Sequence, residues 1–598
     1  MKNKLIHSTI FLQLGAFFVL GLLSISGSFI ITKINAWELV IGLMDLSVLG
    51  SYSDFLLWFP NWGHVLFSLT LILKIIFLGF IIKRGVKEYF KWKSIEILSE
   101  EVELKKDIVK GIYLTILLLI LYCFGWFLLV KLNVGDTKSL ELRIVFSRGF
   151  LFQIVFQFML YISKHKAEIK TFLYNYLFEP TSPYTLSFLR ILFFSYLIFI
   201  YSAKLSTVLP IVDLEHRESL PFIGWLVHIL PINADIYSLF AYVGIVSSIL
   251  IIIGWRTKTF MIINAITIFY VMATPNFFGK LWHEQIVIWL SWIMALSQCS
   301  NVLSIDALLK GKNTEQSGDN TWPIRLIWLH FGLIYFWAGF YKIWDAGFDW
   351  ALSDSMINQV QLEWLQHFDK VPLIRIDHYP IILHLGGLLV ILFELLFPFF
   401  ILVKNWRWIA FFGGLIMHNL LGYFLYISFL HFLQVFYVFF VDINWIVKNK
   451  VKQVNLKHKA NSKLKIGILI LVLNLFAGMF NINSYPFSAY PKYSALIPGK
   501  ILFIRFNAND GGIDTFGEAK KSGFRWEDYG WLEYELINNF NDGKRIDKEV
   551  SDYWEIWKTK IKNLQNCKKV VVELCERPVQ PEGKYKIVVL DTIATLNE

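Results

Sequence analysis

The chain has 598 residues, of which 56% are hydrophobic and 17% charged, and it contains 54 Phe and 23 Trp. This composition excludes an ordinary soluble globular protein and predicts a chain that crosses a lipid bilayer many times. The net charge of +11 does not indicate nucleic-acid binding, because the basic residues fall mainly between apolar segments, as the positive-inside rule describes.

The first 175 residues predict about four membrane spans. An apolar run over 8–32 follows two lysines and is too long for a cleavable signal peptide, so we expect an uncleaved anchor with a cytoplasmic N-terminus. Further spans fit 63–82, 111–130 and 144–163, and the basic loop between the second and third of these four spans is expected in the cytoplasm. Residues 37–60 are apolar but interrupted by acidic and serine side chains, which favours an external interfacial segment.

Residues 176–447 predict a membrane core with about eight spans. Each apolar run has roughly the ~20 residues that a bilayer requires. The predicted spans are 184–203, 237–254, 259–276, 285–302, 325–344, 381–403, 408–424 and 426–442. Basic residues cluster on one predicted side, whereas the 345–380 loop is acidic. The charge pattern therefore predicts that this loop, together with His283 and Lys342, faces the outside.

A basic linker and a last transmembrane run form 448–480, and 481–598 change character to an extracytoplasmic domain. Strands are predicted over 500–506, 568–574 and 584–590, and a helix over 545–564. An extended strand separates Cys567 from Cys575 by about 25 Å, so we expect no disulfide between them. The predicted fold class is an all-α polytopic membrane helical bundle with a small C-terminal extracytoplasmic α+β domain, on about thirteen spans in all.

Several ionisable residues lie inside apolar segments, where charge is costly. Lys342 is either an interfacial anchor beside aromatic neighbours or a functional amine. Glu394 must be protonated, paired or exposed to a cavity, and Arg190 needs an anionic partner, for which Glu394 is one candidate. His384 and His418 either hydrogen-bond between helices or contact a ligand.

Motifs around these residues occur in a fixed order along about 270 residues. Ala338-Gly339-Phe340-Tyr341-Lys342 leads into Asp345 and Trp350. The other elements are the segment 181–190, Trp282-His283-Glu284, His384-Leu-Gly-Gly387 and His418-Asn419. Their order resembles the signature of the vitamin K-dependent γ-glutamyl carboxylase superfamily, whose membrane core is the HTTM domain, and we expect a bacterial member.

This resemblance implies a quinol-dependent oxygenase (epoxidase) or carboxylase, a lyase-type enzyme acting at the outer face. Lys342 is then the catalytic base, made neutral by burial, that takes a proton from reduced vitamin K or menaquinol. The oxygenated quinone would remove a glutamate γ-proton, and carbon dioxide would add. His283 would either assist formation of the carbanion or be only an interfacial polar residue. Residues assigned to the substrate or quinone pocket are Trp282, Glu284, Trp337, Tyr341, His384, Glu394 and His418, with aromatic side chains at 336–341 lining the lipid-side approach. No metal is expected.

The sequence is compatible with three functions, partly because it differs from the animal carboxylases. The chain departs from the animal carboxylases in having Tyr341 where a second lysine stands, a shorter C-terminal domain and four extra spans before the core. The first reading is the quinol-dependent enzyme. The second is a non-catalytic membrane partner for maturation or export of a secreted peptide or protein, and the third is a transporter. All three place the chain as a multi-pass protein of the cell membrane.

Overall fold

The computed structural model describes most of the chain after its first 99 residues. The described residues are 100–131, 136–164, 166–209, 212, 231–278, 285–366, 371–403, 406–425, 462–482, 485–487, 494–508, 511–512, 533, 536–541, 543–544, 546–560, 569–581 and 586–597. The predicted spans at 8–32, 63–82 and 426–442 and the interfacial segment at 37–60 lie outside these residues.

The protein is mostly helical, with a small sheet near its C-terminus. Before the core come α1 (Glu100–Lys131), α2 (Asp136–Lys164) and α3 (Lys166–Phe178). The core contains α4 (Pro183–Thr207), α5 (Ala234–Ile253), α6 (Thr257–Ala273), α7 (Ile286–Leu296), α8 (Ile305–Lys310), α9 (Gly318–Ala346), α10 (Asp349–Leu352), α11 (Ser355–Gln366), α12 (Pro380–Leu402) and α13 (Arg407–Leu425). After it come α14 (Ser462–Met479) and α15 (Asp547–Lys560).

Among the described residues, seven helices are long and apolar enough to cross a membrane. They cover Lys110–Lys131, Pro183–Ser206, Ala234–Ile253, Thr257–Phe277, Gly318–Ala346, Pro380–Leu402 and Arg407–Leu425. Seven of the predicted spans are thereby confirmed as apolar helices of sufficient length. Helix α2 covers the predicted span at 144–163, and α14 forms the last transmembrane run predicted within 448–480.

The predicted span at 285–302 is wrong in its extent. Its helix, α7, ends at Leu296, where Ser297 adopts an extended conformation. Eleven residues rise about 16 Å, roughly half of the hydrocarbon thickness. The residues that follow, Ser297-Gln-Cys-Ser-Asn301, are mostly polar, so the apolar run ends with the helix and the predicted span was extended too far toward the length that a bilayer requires.

The core helices have two ends, which we name after the first and last residues of α9. At the Gly318 end, Thr181 bridges Ser317, Arg325 pairs with Glu179, and Asp306 accepts from the Thr257 backbone. At the Ala346 end lie the acidic loop and helices α10 and α11. Helix α9 is about 43 Å long at 1.5 Å per residue, which spans a bilayer including its headgroup layers.

The C-terminal sheet has strands β1 (Lys500–Ala508), β2 (Gly511–Gly512), β3 (Lys569–Pro578) and β4 (Val588–Asn597), in the antiparallel order β2-β1-β3-β4. Helix α15 packs on it through aromatic contacts between Phe506 and Tyr553, Trp554 and Trp557. The predicted strands over 500–506 and 568–574 and the helix over 545–564 are confirmed. The third strand begins about four residues later than predicted and is longer.

Cys575 lies within β3 as a free thiol. Burial raises the pKa of this thiol to about 11, which makes it a poor nucleophile at neutral pH. The expected absence of a disulfide stays a prediction, because Cys567 lies outside the described residues.

The segment that joins α14 to β1 lies against the Ala346 end of the core. Trp289 donates to the Pro486 carbonyl at 3.1 Å, and Asn358 donates to the Ile497 carbonyl at 2.9 Å. Ser494 donates a hydrogen bond of 2.6 Å to Asp345, and Asp345 follows Lys342 by three residues on α9. The segment that leads into the C-terminal domain therefore lies at the same end of the core as Lys342.

Candidate functional site

Lys342 and Glu394 form a buried ion pair between α9 and α12. The lysine Nζ lies 2.7 Å from Glu394 Oε2 and 3.0 Å from Oε1, and the two residues are 4% and 7% exposed. Lys342 is thus not a snorkelling anchor, because its ammonium points into the bundle rather than toward the interface. Both charges are taken out of lipid and water, which is tolerable only because each compensates the other.

A glycine on α9 makes this pairing geometrically accessible. A Cβ atom added at Gly339 would lie 2.9 Å from Glu394 Cβ and 3.1 Å from the Leu395 backbone nitrogen. Such distances are too short for an alanine, so α12 can approach α9 this closely only where the side chain is missing. The Ala-Gly-x-x-Lys motif therefore has a physical reason: the glycine admits the helix that carries the carboxylate partner of the lysine.

Trp350, in the short helix α10 that follows α9, covers the ammonium. The Lys342 Nζ lies 5.2 Å from the centre of the Trp350 ring, within the range of a cation–π contact. The adjacent Asp349 is held by Arg143 of α2, with Nη2 2.9 Å from Oδ1, and by Trp126 of α1, which donates at 2.8 Å. Helices α1 and α2 thus fix the residue that precedes the tryptophan over the site.

A second polar pair lies on the same side of α9. Tyr335 Oη is 2.7 Å from His418 Nε2 of α13, and the tyrosine ring stacks on Phe397 with centroids 4.0 Å apart. Tyr335 precedes Lys342 by seven residues, which places it two turns and about 10 Å away on the same helix face. The expected role of His418 as an interhelical hydrogen-bonding residue is consistent with this contact.

The pairing considered between Arg190 and Glu394 is wrong. Arg190 is fully buried and donates to the carbonyls of Cys299, Leu303 and Ile252 near the Gly318 end, while Glu394 pairs with Lys342. The guanidinium thus satisfies one carbonyl at the C-terminal end of α5, where the helix dipole is negative, and two carbonyls in the segment between α7 and α8. Sequence reasoning missed this option because it considered only side-chain anions.

The remaining assigned residues are distributed over different parts of the bundle. Trp337 and Tyr341 lie on a different face of α9 from Lys342 and contact α14, where Tyr341 donates to the Gly478 carbonyl at 2.5 Å. His384 is half-buried near the start of α12, ten residues before Glu394, and its Nε2 has no hydrogen-bond partner among the described residues. Trp282, His283 and Glu284 lie outside the described residues.

Comparison with known proteins agrees with the motif order. Residues 178–445 match the family model of the HTTM domain. This part of the chain is an HTTM domain. The ion pair, Trp350 and the Tyr335–His418 contact lie inside the HTTM domain, whereas Arg143, Trp126 and α14 lie outside it. No curated protein and no solved structure matches the chain.

Proposed function

We propose that this protein is a membrane enzyme that oxidises a lipid-soluble quinol, with the Lys342–Glu394 pair as its proton-transfer centre. The observation that carries the proposal is the ion pair itself, a carboxylate and an ammonium 2.7 Å apart inside an apolar bundle. Intramembrane pairs of this kind are costly and are typical of functional sites. The resemblance to the carboxylase superfamily supplies the substrate class, reduced vitamin K or menaquinol.

The groups around the pair are chemically suited to binding a hydroquinone. When bound, the quinol supplies a weakly acidic hydroxyl group and reacts with dioxygen. Glu394 provides a proton acceptor, Lys342 a cation beside it, and Trp350 and the Tyr335–Phe397 stack provide aromatic walls. This set combines hydrogen-bonding capacity with flat apolar surface, as a ring bearing a hydroxyl group requires.

The pairing changes the roles expected for the two residues. In an ammonium–carboxylate pair the free lone pairs belong to the carboxylate, so the proposed proton acceptor is Glu394 and not Lys342. A proton received at Glu394 leaves the Lys342 ammonium without its counter-charge. That ammonium then stabilises negative charge on a neighbouring group, and the net charge of the site does not change.

The site is assigned to the outer membrane face. Arg256, Lys310 and Arg407 lie at the Gly318 end, whereas the 345–380 loop at the Ala346 end carries six acidic residues and two basic ones. The positive-inside rule then makes the Ala346 end extracytoplasmic, together with Lys342 and the C-terminal domain.

The test is oxidation of reduced menaquinone by the purified full-length protein in lipid nanodiscs, with epoxide measured by mass spectrometry. We expect Lys342→Met and Glu394→Gln to lose at least the ~100-fold typical of a missing proton-transfer group. Lys342→Arg, which keeps the positive charge, should retain part of the rate. The control is Lys204→Met, which removes another buried lysine, located on α4.

Each alternative outcome has a defined meaning. Absence of epoxide with the wild-type protein refutes the proposal. Equal losses in the arginine and methionine variants of Lys342 would make the amine itself the base, because a guanidinium cannot give up its proton. If labelled carbon dioxide and a glutamate peptide are added, epoxide together with labelled carbon in the peptide would extend the reaction to carboxylation.

A second function, a non-catalytic partner for a secreted peptide, is favoured by one observation. Among the residues that the structure describes, strand β4 is an edge of the sheet, and Val588, Val589 and Leu590 are 46–53% exposed on it. An exposed apolar edge strand accepts an extended peptide by strand addition. If this function is the correct one, Leu590→Lys should fail to rescue the phenotype of a deletion, whereas Lys342→Met should rescue it.

A further inference from the structure

The short helix α10 carries Trp350 and lies between α2 and α12. It has four residues, Asp349–Leu352, and a helix of this length is not stable through its own backbone hydrogen bonds. The position of the Trp350 ring over the Lys342 ammonium therefore depends on the contacts that α10 makes with its neighbours.

On one side, α10 packs against a glycine of α12. A Cβ atom added at Gly387 would lie 2.9 Å from Ala351 Cβ and 3.1 Å from Ala351 Cα, so a side chain there would push α10 away. Gly387 precedes Glu394 by seven residues, or about two helical turns, so the two residues lie on the same face of α12. Helix α10 thus packs on the face of α12 that carries the carboxylate of the ion pair.

On the other side, Arg143 of α2 binds the residue that precedes Trp350. Arg143 Nε lies 3.0 Å from Asp349 Oδ1 and 3.1 Å from Oδ2, and Nη2 lies 2.9 Å from Oδ1. Contacts from two guanidinium nitrogens fix the orientation of a carboxylate more closely than one hydrogen bond does. Asp349 is 3% exposed, so this charged contact is held away from water. Arg143 therefore fixes the first residue of α10 relative to α2.

The backbone just before α10 is also bound to α2. The Phe348 backbone nitrogen donates to Ser147 Oγ at 3.1 Å, and Ser147 Oγ donates to the Arg143 carbonyl at 2.7 Å. Gly347 has a φ of +64°, which favours glycine, and a Cβ atom there would lie 2.9 Å from Ser147 Oγ. The chain therefore turns directly against α2, and the same helix fixes both this turn and the start of α10.

We propose that Arg143 is a positioning residue that, through Asp349, keeps the Trp350 ring over the ion pair. Helix α2 lies outside the HTTM domain, so a helix that precedes the domain completes the site. The inference deepens the proposed function and rests on it where catalysis is concerned, because Trp350 is an aromatic wall for the quinol ring. The placement of the Trp350 ring over the ammonium is testable without any activity.

The test uses the full-length protein in detergent micelles, labelled with 5-fluorotryptophan and measured by fluorine-19 NMR. The signal that disappears in Trp350→Phe is assigned to Trp350. Lys342→Met shows how that signal moves when the ring loses the cation. Arg143→Gln should move it in the same direction, because α10 is released and the ring leaves the ammonium. Arg143→Lys, which keeps the charge but not the two-nitrogen contact, should recover part of the shift.

Arg148 provides a matched control on the same helix. Its Nε donates to the Trp344 carbonyl at 2.7 Å, and its Cζ lies 4.8 Å from the centre of the Trp344 ring. These contacts bind α2 to α9 and not to α10. Arg148→Gln should therefore leave the Trp350 signal in place.

Two results of the NMR measurement overturn the inference. One is a Trp350 signal that does not move in Arg143→Gln. The other is an equal shift in Arg148→Gln, because the loss of any contact with α2 would then suffice. If Arg143→Gln fails to fold, Asp349→Asn removes the same ion pair and should give the same shift, and an unmoved signal in that variant overturns the inference as well.

Epoxide formation by the same variants connects the positioning to catalysis. Arg143→Gln should lose as much kcat/KM as Trp350→Leu, and the double variant should lose no more than Trp350→Leu alone, because Arg143 acts through the ring. Additive losses contradict the inference. Absence of epoxide from the wild-type protein refutes the proposed function, whereas the shift of the Trp350 signal still decides whether Arg143 positions α10.

Discussion

Replacing the Lys342–Glu394 pair tests whether the two charges depend on each other for burial. At 2.7 Å and an effective dielectric constant of about 20, their attraction is about 6 kcal/mol. Lys342→Met or Glu394→Leu alone leaves the other charge buried and unpaired, which typically costs about 3–5 kcal/mol. The double variant removes both charges and restores apolar packing, so its stability should be close to that of the wild type.

The measurement is equilibrium unfolding of the four proteins in mixed micelles with a denaturing detergent, followed by tryptophan fluorescence. The two single variants should unfold at lower denaturant fractions than the wild type and the double variant. The coupling free energy from this cycle should be several kcal/mol in favour of the pair. Additive losses, with the double variant least stable of all, would refute mutual compensation and would mean that each charge has a separate partner.

Three further predictions concern the packing around the site. Gly339→Ala should lower the free energy of unfolding by about 1–3 kcal/mol, because its Cβ would collide with α12. The control Gly386→Ala should leave that free energy unchanged, because its Cβ meets nothing within 4 Å. Equilibrium unfolding of both variants measures the difference. Ser494→Cys combined with Asp345→Cys should be joined by a short thiol-reactive cross-linker, as detected by peptide mass spectrometry, because Ser494 Oγ lies 2.6 Å from Asp345 Oδ2; no cross-link would contradict the placement of the C-terminal segment. Arg143→Gln should lower the melting temperature by leaving buried Asp349 without its cation, and a conservative change to lysine should recover part of the loss.

Hydrophobic run length predicted most of the membrane helices. It failed at 285–302, where the predicted span was extended through the mostly polar residues 297–301 to reach the length of a bilayer, whereas the helix ends with its apolar residues at Leu296. The third strand was placed too early for a related reason. Alternation of residues in the 584–590 stretch does not specify where pairing with β3 begins, and the register is set by the partner strand.

The sequence by itself determined that Lys342 and Glu394 are costly residues in apolar helices, and it placed the lysine within a recognisable motif. Only the tertiary structure decided that they are partners. They are separated by 52 positions and lie on different helices, so their contact depends on how α9 and α12 pack. The tertiary structure also decided that Arg190 is satisfied by backbone carbonyls, which every residue carries. A sequence identifies which side chains need a partner, but the partner is chosen by three-dimensional packing.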